Sequence, residues 1–335
     1  MVNSLFFGLR GLANGLPSIS HQKTSMRIRS LGFASVLTLT GCAMQGVATG
    51  SIAQPAALLQ PWTEITNAQV KTSLNMPGME RVTLRRPAAM SARGNDVYLI
   101  DAGLRRIFRY DRNQRTLTPF ATTIAADAIM NIYVAPDRSV YITDPGHGQV
   151  LHFTWDGIQL PALISPGNLA RPVAVTVDPR NGQVLVADAL YEKIVVFSSL
   201  GMTISVIKPQ QVLAISSMAA GPDGLYITDK LARQVVSLGW DGSFRSAFGA
   251  DDMRQPADIA VNRNGMVFVS DNIEDTVQVY RDGLLLTKIG GRGIAEGYFN
   301  GIAGLAVDED MLYVADSMNA RVQIMMINPA QKTKK

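Results

Sequence analysis

Residues 304–324 read GLAVDEDMLYVADSMNARVQI. Two short apolar runs, each ending in aspartate, are followed by a polar loop and a third apolar run. Runs of this length that are rich in β-branched and aromatic residues and bounded by turn residues are typical of β-strands. The stretch therefore predicts three consecutive antiparallel strands joined by tight turns.

The middle strand of this stretch, with its terminal aspartate, occurs six times along the chain at intervals of 41 to 45 residues. The copies are Val97–Asp101, Val140–Asp144, Val184–Asp188, Leu225–Asp229, Val267–Asp271 and Leu312–Asp316. A period of about 40–45 residues with four strands per repeat is the mark of a β-propeller. The sequence predicts an all-β fold with six four-stranded antiparallel blades.

The repeats resemble those of the NHL family, in which a Pro and a Val-Asp strand precede a Val-Ala-Asp strand and a loop with Asn and Arg. The last repeat matches best, with Asn319 and Arg321 in its loop, and Arg171–Asp178 and Gln255–Val261 match the opening. The resemblance covers roughly residues 86–327 and implies a six-bladed propeller. Asn319 and Arg321 have few counterparts in the other repeats, which are therefore diverged.

The last repeat contains only three strands, because the polar segment Asn328–Lys335 follows the third. A strand from the N-terminal side must complete this blade, since an open ring would leave unpaired strand edges. Met79–Arg85 alternates apolar and polar residues, and we expect it to be the closing strand. The propeller is then expected to span residues 79–328, followed by a basic tail at 329–335 with three lysines.

The N-terminal region has the layout of an export signal. Arg27 and Arg29 precede an apolar run, Leu31–Leu39, that is too short to span a membrane. The tetrapeptide Leu39–Cys42 resembles the bacterial lipobox, which implies cleavage before Cys42 and a lipid on its sulfur. Ala43 in place of an aspartate favours the outer membrane. We expect a signal segment at 1–41, with Met26 as the favoured start, and a flexible tether at 42–78, which has no charged residue up to Thr63.

Charge and cysteine content exclude several classes of protein. Removing the four basic residues of the signal segment from the total of 31 leaves 27, equal to the 27 acidic residues of the chain. The basic footprint of a nucleic-acid-binding protein is therefore absent. The single cysteine excludes a disulfide framework and a cysteine-based zinc site.

Few residues outside the signal segment are suited to catalysis. The six repeated aspartates admit a metal-binding or a structural interpretation, and the structural one is favoured, because an aspartate before a tight loop accepts backbone N–H bonds. His147 and His152 belong to one repeat and cannot surround a central axis as a multi-histidine zinc site requires. No catalytic residue, metal site or cofactor is predicted, although calcium stays open with Asp258 as the candidate ligand.

The loops around the channel entrance form a mixed polar rim, which is suited to a peptide, a glycan or a partner protein. Its residues are Arg86, Asn131, His147, Arg171, Gln255 and Asn300. We expect a lipid-anchored bacterial envelope protein facing the periplasm that binds partners without catalysis. The alternative is a metal-dependent propeller enzyme of the lactonase or lyase type.

Overall fold

The computed structural model describes residues 58–71, 79–121 and 131–328, which contain 26 β-strands and one short 3₁₀ helix, Ser317–Asn319. The strands form six sheets, and the innermost strand of each sheet contacts the innermost strands of its two neighbours. This arrangement is a closed, six-bladed propeller and confirms the predicted fold. In this part of the chain no helix has the length and apolarity needed to cross a membrane.

Each blade is described from its innermost strand outward. Blade 1 contains β4 Pro87–Arg93, β5 Asp96–Asp101, β6 Arg106–Asp111 and β7 Thr116–Phe120. Blade 2 contains β8 Ile132–Val134, β9 Val140–Asp144, β10 Gln149–Phe153 and β11 Gln159–Ile164. Blade 3 contains β12 Pro172–Val177, β13 Val184–Asp188, β14 Lys193–Phe197 and β15 Thr203–Ile207.

The second half of the ring repeats this order. Blade 4 contains β16 Ile215–Ala220, β17 Gly224–Asp229, β18 Gln234–Gly239 and β19 Phe244–Phe248. Blade 5 contains β20 Pro256–Val261, β21 Val267–Asp271, β22 Thr276–Arg281 and β23 Leu284–Gly290. Blade 6 contains β24 Ile302–Asp308, β25 Met311–Asp316, β26 Arg321–Ile327 and, as its outer strand, β1 Leu59–Ile65.

The hydrophobic core lies between the blades. The buried apolar residues form six clusters, and each cluster draws its residues from two adjacent blades. Phe120 of blade 1 and Phe153 of blade 2, for example, meet edge to face with ring centroids 5.8 Å apart. The second strands are buried along nearly their whole length because both of their faces pack against neighbouring blades.

The ring closes through β1, which pairs antiparallel with β26 of the last blade. Leu59 and Ile65, at its two ends, are buried in the clusters on either side of blade 6. Arg321 reinforces the pairing, since its Nη1 lies 3.0 Å from Glu64 Oε2 of β1 and its Nε lies 2.7 Å from Asp316 Oδ2. The loop residue Arg321 of the best-matching repeat thus ties the N-terminal strand to its blade.

The prediction that Met79–Arg85 closes the last blade is wrong. Met79–Thr83 is β3, which pairs antiparallel with β2, Asn67–Lys71, and β2 pairs in parallel with β7 of blade 1. This hairpin extends blade 1 to six strands. The closing strand and β2 therefore lie inside the stretch expected to be a tether at 42–78. Residues 42–57 and 72–78 of that stretch lie outside the described residues. The signal segment at 1–41 and the tail at 329–335 also lie outside them.

Closure by β1 predicts that Ile65→Ala strongly destabilises the protein. Ile65 is 2% exposed, so the variant leaves a cavity that should cost about 2–5 kcal/mol in the free energy of unfolding. Thr63→Ala, at an exposed position of the same strand, is the matched control and should change it by less than about 0.5 kcal/mol. Urea denaturation measures both variants, and equal midpoints would contradict the assignment of β1.

Candidate functional site

The repeated aspartates lie at the end of the propeller where first strands begin and second strands end, which we call the mouth face. In blade 3, Asp188 is fully buried. Its Oδ2 accepts N–H bonds from Ala170 and Arg171, both at 2.6 Å, before the first strand. Its Oδ1 accepts N–H bonds from Leu190 at 3.0 Å and Tyr191 at 2.9 Å, after the second strand. One carboxylate thus joins the two mouth-face segments of its blade, an arrangement we call the carboxylate clamp.

The clamp recurs around the ring. Asp101, Asp229 and Asp271 each accept N–H bonds from the segment before the first strand and from the loop after the second. Asp316 accepts the N–H of Asn300 and side-chain bonds from its own loop, and Asp144 accepts bonds from His147 and Gln149. The predicted structural role of these aspartates is confirmed.

The six loops after the second strands also share one backbone conformation. The fourth residue after each aspartate has a positive φ, between 49° and 62°, although only one of the six is a glycine. These residues are Arg105, Gly148, Glu192, Arg233, Asp275 and Ala320. Equivalent residues of the six loops therefore share a left-handed backbone conformation at this position.

The clamp positions four of the predicted rim residues equivalently. Arg86, Arg171, Gln255 and Asn300 each precede the first strand of a blade and donate their backbone N–H to that blade's aspartate. The side chains of the first three are exposed, and that of Asn300 is half-buried. The structure thus brings these four residues onto one face, as the rim prediction requires.

The other two rim residues, Asn131 and His147, differ from each other. Asn131 lies directly before the first strand of blade 2, where its N–H donates to Thr143 Oγ1 at 2.9 Å, and it lines the channel. His147 lies in the loop after β9, with its Nδ1 2.8 Å from Asp144 Oδ2 and its side chain 75% exposed. It lines neither of the channel cavities.

Two cavities occupy the central channel. One of about 230 Å³ opens at the mouth face and is lined by Asn131, Ser217, Lys230 and Gln255 among others. One of about 460 Å³ extends towards the opposite end, where Arg93, Arg263 and Asp308 lie. Asn131 and Asp258 line both cavities, so the two cavities meet at these residues.

Asp258 is held between three blades. It lies on β20 of blade 5, where the register shifts between Pro256 and Ile259. Its Oδ1 accepts the hydroxyl of Ser217 from blade 4 at 2.6 Å, and its Oδ2 accepts the N–H of Leu305 from blade 6 at 2.7 Å. Burial raises the pKa of this carboxyl above its ordinary value. Asp258 is therefore a tie between blades that also faces the channel.

The opposite end of the channel holds polar residues that were not among the predicted site residues. Asp308 Oδ2 accepts the N–H of Gly94 at 2.6 Å, which joins blade 6 to blade 1, and burial raises the pKa of Asp308. Arg263 and Glu309 form an exposed ion pair at 3.5 Å nearby. The sequence feature that could have indicated Asp308 is its position at the end of the first strand of the last repeat.

The described histidines lie away from the channel. His152 is part of β10, its ring stacks on Tyr141 with centroids 4.4 Å apart, and burial lowers its pKa. Neither His152 nor His147 lines a channel cavity. Among residues 58–71, 79–121 and 131–328, no three or more His, Cys, Asp or Glu side chains are grouped as a metal site.

No protein-family model matches the chain, and no curated protein matches it. Solved structures resemble it. A streptogramin B lyase is 13% identical, with 80% of this chain and 100% of that chain covered and a TM-score of 0.58. A protein of unknown function from Bacteroides thetaiotaomicron is 14% identical, with coverage of 73% and 70% and a TM-score of 0.59.

Virginiamycin B lyase from Staphylococcus aureus is also similar, at 14% identity, with 72% of this chain and 95% of that chain covered and a TM-score of 0.53. A catalytically inactive histidine-to-alanine variant of that lyase, with quinupristin, is 13% identical with a TM-score of 0.54. At these identities the likeness establishes the fold alone.

The buried carboxyl of Asp258 predicts a pH-dependent stability. The pKa of Asp258 in the folded state lies above its unfolded value of about 3.9. The free energy of unfolding is therefore highest below about pH 3.9 as far as this group is concerned, and it falls as the pH rises through the folded-state pKa. Asp258→Asn removes this loss, so the variant should gain stability relative to the wild type between about pH 4 and pH 7. Urea denaturation at both pH values measures the difference. The exposed Asp223→Asn variant is the control, and parallel pH profiles for Asp258→Asn and wild type would contradict the prediction.

Proposed function

We propose that this chain is a lipid-anchored protein of the bacterial envelope, built on an NHL-type propeller, that binds a partner at the mouth face without catalysis. The observation that carries the proposal is the clamped rim. Arg86, Arg171 and Gln255 project from equivalent positions whose backbones are each fixed by a buried carboxylate. Because the backbone at these positions is already ordered, binding would not have to order the segments that carry the three side chains, which favours affinity.

The position of the described chain ends supports attachment to a membrane through Cys42. Leu59 pairs with Ile327, and the N–H of Asn328 donates to Leu58 O at 2.9 Å, so β1 begins where β26 ends. This end of blade 6 is opposite the mouth face, because β25 reaches the mouth face at Asp316 and β26 runs back from it.

A lipid on Cys42 would join the chain to the membrane on the N-terminal side of β1, whose first residue lies at the end of the propeller opposite the mouth face. The proposed anchor therefore favours an orientation in which the mouth face is directed into the periplasm. Because Ala43 rather than an aspartate follows Cys42, the outer membrane is the proposed location.

The alternative is a propeller enzyme of the lactonase or lyase type. The likeness to streptogramin B lyases and the channel-facing carboxyl of Asp258 favour it. Two observations weigh against it. The inactive variant of virginiamycin B lyase has lost a histidine, whereas neither histidine of the described chain lines a channel cavity. Both carboxylate oxygens of Asp258 are already engaged by protein donors.

Affinity isolation from envelope fractions tests the binding function. The combined variant Arg86→Ala, Arg171→Ala and Gln255→Ala should recover about tenfold less of a co-isolated partner than the wild type, because it removes the projecting rim. The variant Arg245→Ala, at an exposed position on the outer strand of blade 4, is the control and should recover the wild-type amount. Cys42→Ser should abolish labelling with a fatty acid.

Two outcomes would contradict the proposal. Equal recovery by the rim and control variants would remove the mouth face from the binding function. The alternative enzyme would be established if the wild type cleaves a streptogramin B or a lactone and calcium raises its melting temperature, and if Asp258→Asn loses both properties.

A further inference from the structure

The second residue after the clamp aspartate is a large, exposed apolar residue in four adjacent blades. Leu190, Leu231, Ile273 and Met318 are 58%, 67%, 54% and 68% exposed. We call these four residues the apolar crescent. They occupy blades 3 to 6 and follow the edge of the mouth face, and Tyr191 and Leu213 extend the surface with exposures of 46% and 59%.

The clamp fixes the apolar crescent. The backbone N–H groups of Leu190, Leu231 and Ile273 each donate to the Oδ1 of their aspartate at 3.0 Å. Met318 lies in the 3₁₀ helix and donates its N–H to Asn300 O at 3.0 Å. Equivalent backbone positions in a ring of blades present these side chains at one level, as a rigid arc.

Packing within the propeller does not account for these side chains, because more than half of each is exposed. The equivalent residues of blades 1 and 2 are Gly103 and Gly146. A Cβ on Gly103 would lie 2.7 Å from Arg85 Cβ, so blade 1 has no room for a side chain there. The arc of exposed apolar residues is therefore interrupted at blades 1 and 2.

Basic residues also lie on the mouth face. Arg86, Arg171 and Lys230 are exposed, and in the described part of the chain none of them forms an ion pair, whereas Arg254 nearby is paired with Glu274 at 3.2 Å. Lys230 lines the channel entrance and is the residue directly before Leu231. The mouth face, as far as the described residues form it, thus combines exposed apolar side chains with basic side chains, of which Lys230 lies at the channel entrance.

We propose that the apolar crescent docks a protein segment that is acidic and carries at least two bulky apolar residues. The acidic groups would lie over Arg86, Arg171 and Lys230, and the apolar residues would pack against Leu190, Leu231 and Ile273. This proposal rests on the proposed function, because it specifies the partner of the same face. Charge complementarity of this kind sets the partner's orientation and the rate of encounter.

Two other occupants fit less well. A second copy docked face to face would bring the basic residues of the two channel entrances towards each other, which opposes association. A bilayer would have to reach the mouth face, whereas both ends of the described chain leave the propeller at the opposite end, beside Leu59 and Ile327.

Selection of a random dodecapeptide display library on the purified full chain tests the proposal. The enriched sequences should carry net negative charge and two or more of Leu, Ile, Val and Phe. A labelled peptide of the most enriched sequence should bind the combined variant Leu190→Ser, Leu231→Ser and Ile273→Ser about a hundredfold more weakly. The variant Arg171→Glu and Lys230→Glu should weaken binding about tenfold and reduce its dependence on salt.

The control changes equally exposed apolar residues elsewhere. Leu200, Met202 and Ile204, at and before the outer strand of blade 3, are 83%, 65% and 52% exposed. Their combined replacement by serine should leave peptide affinity unchanged, and circular dichroism melting verifies that all variants fold.

The outcomes separate this proposal from the function on which it rests. No enrichment, enrichment of basic sequences, or equal loss in the control variant would overturn the apolar crescent as a docking surface. Flotation of the wild type with phosphatidylglycerol vesicles, if it is lost in the variant Leu190→Ser, Leu231→Ser and Ile273→Ser (the crescent variant), would also overturn it. So would dimerisation of the wild type in sedimentation, if the crescent variant abolishes it. An envelope partner that is lost by the rim variant but retained by the crescent variant would overturn this inference and leave the proposed function intact.

Discussion

The mouth face is organised by buried carboxylates, and four of them accept backbone N–H bonds from two segments of their blade: Asp101, Asp188, Asp229 and Asp271. Asp188 shows this clamp in full, with two donors before β12 and two after β13. Buried N–H groups left without acceptors cost about 1–3 kcal/mol each, so the segments are strongly held in place. Repetition of the clamp turns the least regular parts of the chain into an ordered face, and the rim and the apolar crescent are both consequences of it.

Closure of the ring is the second constraint, and it links the two ends of the described chain. Arg321 contacts Asp316 of its own blade and Glu64 of β1, so the clamp of blade 6 also holds the strand that completes the ring. Asp258 and Asp308 add ties between blades at the channel wall, each by accepting an N–H from a neighbouring blade. The channel is therefore lined in part by residues that also stabilise the ring.

Local sequence predicts the blades well, because each repeat contains its own strands, turns and clamp aspartate. It also predicts that Arg86, Arg171, Gln255 and Asn300 share a face, since each lies 15 to 17 residues before its aspartate. The closing strand could not be found in this way. Residues 59–65, which include Pro61, lie in the stretch that the sequence predicts to be a tether, and the partner of β1 lies more than 250 residues away. The cross-blade role of Asp258 depends on contacts with Ser217 and Leu305 from other blades, which no local pattern encodes.

Amide hydrogen exchange is the sharpest test of whether buried carboxylates make the mouth face rigid. If they do, the amides of Arg171, Leu190 and Leu231 exchange nearly as slowly as those of the second strands, although they lie in loops. The amides of Asp223 and Asp282, in two hairpins at the opposite end, should exchange much faster, because no buried carboxylate among the described residues accepts a hydrogen bond from either of them. Fast exchange at both ends alike would contradict a rigid, clamped mouth face.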